Sequence, residues 1–77
     1  MTTASPGPDP DRDRWAALLA ALMAGTDLTG ADSRWVMDQV MRGDASPVRL
    51  GAFLVALRSK GETVEELTGL ADGMLAH

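Results

Sequence analysis

The apolar residues of this chain recur at helical spacing, and one stretch carries them on two opposite sides. Wound at about 100° per residue, Ser46 to Gly61 places Leu50, Phe53, Leu54 and Leu57 on one face and Val48, Ala52, Val55 and Ser59 on the other. Arg49 and Lys60 flank these faces on one side and Arg58 on the opposite one. Such a helix calls for two partners. Its limits are also legible: Ser46 can cap the first turn, Pro47 stands where a missing N–H costs nothing, and Gly61 can take the left-handed conformation that stops a helix. Arg58 and Lys60 in the last turn suit the negative end of the helix dipole.

Three further helices follow from the same spacing. The first opens at Asp9-Pro10 or at Asp11 and runs to about Ala24, with Gly25 as its stop. Trp15, Leu18, Leu19 and Leu22 form its i, i+3, i+4, i+7 stripe, with Met23 beside them. The second is capped by Thr29, with Asp32 three residues on, and extends to Arg42 before Gly43; it presents Val36, Met37, Val40 and Met41, with Trp35 at the edge. Trp15 and the methionines are assigned to core filling in preference to ligand stacking or an adaptable groove. The last helix begins at a T-x-x-E capping box, Thr63 to Glu66, with Glu62, Glu65 and Glu66 near the positive end of its dipole. Leu67, Leu70, Ala71, Met74 and Leu75 make its expected core stripe. Gly69 and Gly73 lie in its interior, where each costs up to about 1 kcal/mol relative to Ala unless close packing compensates. No stop glycine precedes His77, so continuation of the helix, or of the protein, is expected. The fold class is all-α, a small bundle of four short helices.

The two faces of the third helix admit two uses. In the plainer one it is the centre of the bundle, with earlier helices on the leucine side and the later helix on the small-residue side. In the sharper one Val48, Ala52, Val55 and Ser59 meet a second subunit or another part of a larger protein, because small side chains let helices approach closely.

Composition narrows the choice. Residues 1–10 hold too much Pro, Gly, Ser and Thr to join a core, which leaves 11–77 as the single folded domain of this 77-residue chain. A domain of that size buries roughly 60% of the surface its unfolded chain exposes, so a partner surface is a natural aid to stability. Cysteine is absent and the one histidine is His77, which excludes disulfides and a Cys/His metal centre. A net charge of −4 and a pI near 4.6 oppose binding to nucleic acid or to an anionic membrane surface. The short loop Asp44-Ala45 permits a helix-turn-helix, but an acidic chain whose would-be recognition helix has few polar positions is a poor DNA reader. The longest apolar run, Trp15 to Ala24, is shorter than the roughly 20 residues that span a bilayer. It also lacks the basic flank of a secretion signal. A cytoplasmic protein is expected.

Candidate chemistry is sparse. There is no Tyr, internal His, H-E-x-x-H, phosphate-cradling glycine loop or G-x-S-x-G elbow. The carboxylates fall mostly at helix starts or in the first ten residues, and Asp38 is expected to face solvent. No nucleophile, base, cofactor ligand or metal ligand is assigned, and the residues by themselves describe an interaction or support domain.

The run WVMDQVMRGDASP, followed by LGAFLVALRSKGETVEELTGLADGML, resembles the N-terminal helical domain of anthranilate phosphoribosyltransferases, a glycosyltransferase family 3 N-terminal domain. The most specific pieces are Met37-Asp38 with Met41 and Gly43, then Ala56-Leu57-Arg58, Lys60-Gly61-Glu62-Thr63 and Gly69-Leu70-Ala71. The resemblance implies transfer of a phosphoribosyl group from phosphoribosyl pyrophosphate to anthranilate in tryptophan biosynthesis, with magnesium present. It also implies a homodimer formed through the helical domains and a large α/β domain in the rest of the enzyme chain. Val48, Ala52, Val55 and Ser59 become candidates for the dimer face. In the family the residues that hold both substrates lie beyond the point matching His77, so no catalytic residue carries over and this chain alone is expected to be inactive. A similar domain opens the pyrimidine nucleoside phosphorylases, which the Arg58 to Thr63 pattern fits less well. A free-standing helical interaction module is the alternative from a different class. Such a module should carry polar residues where an enzyme's domain would expose apolar ones.

Overall fold

The computed structural model describes residues 9–77, and residues 1–8 of the expected tail lie outside them. Four helices account for the described fold: α1 (Pro10–Met23), α2 (Gly30–Met41), α3 (Pro47–Lys60) and α4 (Val64–Leu75). The first starts at Asp9-Pro10, so the domain includes two residues that composition had left in the tail.

Each helix is started by a side-chain oxygen three residues ahead of the N–H it accepts. Asp9 accepts from Arg12 at 3.0 Å, Thr29 from Asp32 at 3.1 Å, Ser46 from Arg49 at 3.1 Å and Thr63 from Glu66 at 3.1 Å. These bonds satisfy amides that have no partner within the helix. At the other ends Gly25, Gly43 and Gly61 all take positive φ, as expected for residues that reverse the chain in so little space.

The core consists of Trp15, Leu18 and Leu22 from α1, Leu28 from the following link, Val36 from α2, and Phe53 and Leu57 from α3. The Trp15 ring meets Phe53 edge-on at 6.2 Å and tilts against Trp35 at 5.5 Å, within the range where aromatic quadrupoles attract. Outside the core, Arg14 lies 4.4 Å over the Trp35 ring and donates to Asp32 at 3.2 Å.

The packing departs from the periodicity in three places. First, α4 packs against α2, and does not cover the small-residue side of α3. Secondly, the packed face of α4 is Glu66, Gly69, Leu70 and Gly73, while Leu67, Ala71, Met74 and Leu75 are exposed. The reason is steric. A Cβ on Gly69 would collide with the Gly30 carbonyl oxygen and come within 2.8 Å of the Ser33 Cβ; one on Gly73 would sit 2.7 Å from the Met37 Cβ. Two helices this close must meet through glycine, which turns the leucines outward. Thirdly, Met23, Met41 and Leu54 are exposed, and on α2 the polar Ser33 and Gln39 are buried along with Val36.

Candidate interaction groove and buried ionic node

A groove of about 670 Å³ opens between the C-terminal end of α1 and the length of α3 from Gly51 to Lys60. Met23 and Gly25 form one wall and Gly51, Ala52, Val55 and Ser59 the other. The structure therefore brings together three of the four residues expected at a dimer face. The fourth, Val48, stands a turn before the groove and is 81% exposed. Gly51 keeps the floor open, since a Cβ there would meet nothing within 4 Å. Among the described residues, no acidic side chain lines the groove, and Lys60 is the one charged residue there.

The Lys60 head group is turned inward, with only 3% of its side chain exposed. Its ammonium donates to Asp27 Oδ1 at 2.8 Å, to the Gly61 carbonyl at 2.7 Å and to Glu66 Oε1 at 2.9 Å. That uses all three of its donors. The fully buried Glu66 accepts in addition from the Thr63 N–H at 2.8 Å and from the Leu28 N–H at 2.7 Å. This node joins the end of α3, the start of α4 and the link between α1 and α2. Glu65 reinforces it by accepting from the Gly30 N–H at 3.1 Å.

Titration follows from these bonds. The bond to Asp27 raises the Lys60 ammonium above its ordinary value against the opposing effect of desolvation, with Glu66 adding to the rise. Burial alone would push the Glu66 carboxyl up, but the Leu28 N–H, Lys60 and the Thr63 N–H together hold it below its ordinary value. From the sequence alone Glu66 is a capping residue and Lys60 stands on a helix flank. The local signal of the buried pair is the lysine-glycine sequence, Lys60-Gly61, ending one helix directly before a capping box. Such a lysine can reach back over the turn to the box carboxylate.

Asp38, expected in solvent, accepts from Arg42 at 3.0 Å and contacts His77 Nε2 at 2.6 Å. The His77 contact, followed by Arg42, keeps its carboxyl below the usual value. Among the described residues no three acidic or histidine side chains converge to hold a metal ion. Nor is any helix of the described residues long and apolar enough to cross a membrane.

Four capped helices with apolar side chains left exposed on α3 and α4 define a small helical bundle domain. Residues 16–77 match the family described as the glycosyl transferase family, helical bundle domain, and the chain belongs to that family. Similar proteins include an anthranilate phosphoribosyltransferase of Saccharopolyspora erythraea, 59% identical over 63 residues. Others of that name are 54% identical in Arthrobacter sp. and 48% identical in Thermobifida fusca. In each the match covers 82% of this chain and 18% of the relative; the chain spans less than a fifth of the length of these relatives.

Proposed function

We propose that this chain is the N-terminal helical domain of an anthranilate phosphoribosyltransferase, serving dimerisation and support of an active-site cleft whose catalytic residues lie in a larger α/β domain. In this reading phosphoribosyl pyrophosphate, anthranilate and magnesium are bound outside these residues, in the cytoplasm. The observation that carries the reading is identity of 59% to a relative of that name over 82% of the chain. The exposed apolar face of α4 agrees with it. Val64 and Leu75 are more than four-fifths exposed, and Leu67 and Met74 about half. A free-standing module would carry polar residues there, whereas a domain built against further polypeptide needs an apolar face.

The intact mass of the product of the native reading frame, together with anthranilate-dependent consumption of phosphoribosyl pyrophosphate by that product, tests the assignment. A product several times heavier than 8.1 kDa that consumes the substrate is expected. An inactive product of only that mass overturns it. Dimerisation is tested separately by charging the α3 face: Val48→Asp with Val55→Asp should leave the helical circular dichroism largely intact and convert the dimer to a monomer in sedimentation equilibrium. A dimer that survives both substitutions places the interface elsewhere.

A further inference from the structure

Lys60 belongs to two places at once. Its side chain lines the α1–α3 groove, while its ammonium is enclosed by Asp27, the Gly61 carbonyl and Glu66. Glu66 in turn holds the amides of Leu28 and Thr63, so the link after α1 and the first turn of α4 both hang on the same pair of charges. Lysine has one of the most mobile side chains, and holding it in one rotamer is entropically unfavourable. With 3% of that side chain exposed, an occupant acts on it by filling the groove into which its outward rotamers would swing, which favours the enclosed rotamer and the bonds at its head.

We infer that Lys60 couples occupation of the groove by a second copy of this chain to the placement of the α4 start. The inference rests on the dimer reading above. A second copy suits the groove because each chain carries a net charge of −4, and two like chains repel least through a lining without acidic side chains. Met23, 81% exposed at the groove wall, supplies a projecting group for a self-complementary contact. Coupling of this kind is reciprocal. Loosening the node therefore weakens self-association, although neither Asp27 nor Glu66 lines the groove.

The test combines sedimentation equilibrium with hydrogen exchange on the full chain, in wild type, Asp27→Asn and Glu66→Gln. In wild type, protection of the Leu28 and Thr63 amides should rise with protein concentration. Both variants should raise the dimer dissociation constant by about fivefold or more, the lower end of ordinary coupling between sites. Should Glu66→Gln fail to fold, Asp27→Asn decides alone, because that carboxylate is 66% exposed and its loss leaves the core intact. A dimer whose dissociation constant ignores the substitutions, or amide protection independent of concentration, overturns the coupling alone. A wild-type chain that is monomeric at every concentration overturns the dimer reading and the coupling together.

Discussion

The two helix pairs of this domain are held by opposite means. α1 and α3 meet through large side chains, Trp15, Leu22, Phe53 and Leu57, and part toward one end to leave a groove. α2 and α4 meet through the absence of side chains, with Gly69 and Gly73 pressed on Gly30, Ser33 and Met37. The first arrangement buries area and tolerates adjustment at its open end. The second approaches backbone to backbone and has nowhere to move. Glycine in a helix interior is therefore a packing requirement in one pair and empty space in the other.

Alanine substitution at glycine separates the two directly. Gly69→Ala forces a methyl into the Gly30 carbonyl, and overpacking of this kind should cost about 3 kcal/mol, or roughly 15 °C of melting temperature in so small a domain. A Gly69→Ala variant melting with wild type would mean the helices are further apart than described. Gly51→Ala is the counterpart in α3, where the new methyl meets nothing. It should raise stability by roughly 0.5–1 kcal/mol through helix propensity alone, read as a melting temperature a few degrees higher. Loss of stability there would show that the floor of the groove is already occupied.

The mildest perturbation is pH, which acts where the two pairs are joined. Glu66 is held below its ordinary value in the folded state, so its contribution is fully present above the unfolded carboxyl value of about 4.3 and disappears as pH falls through the lower folded value. Asp38 and Glu62, also held low, act in the same direction. Lys60 has the opposite sign: its contribution is present below an unfolded value of about 10.4 and disappears as pH rises through the folded one. Melting temperature should therefore fall below about pH 4.5, and Glu66→Gln should flatten that limb. An unchanged acid limb in Glu66→Gln would show that the carboxylate is not held as described.

The sequence by itself determined where the last three helices start and where the first three stop, and narrowed the first start to Asp9-Pro10 or Asp11. Asp9, Thr29, Ser46 and Thr63 act within three residues, as do the glycines that follow the first three helices, and such local bonds need no knowledge of the fold. It also marked Trp15, Leu18, Leu22, Val36, Phe53 and Leu57 as core, since those faces are apolar at helical spacing whichever helix they meet. Three of the four residues singled out on the far face of α3 line one groove for the same reason. What only the tertiary structure decided is which helix meets which and through which face. The apolar stripe of α4 was legible, yet Leu67, Met74 and Leu75 point outward because the closest approach to α2 is available only through Gly69 and Gly73. Burial of the Lys60–Glu66 pair was equally invisible, because it depends on Asp27 and Leu28, more than thirty residues away in the chain, arriving at the same point. Periodicity records how apolar a face is; how near another backbone can come is a property of two surfaces together.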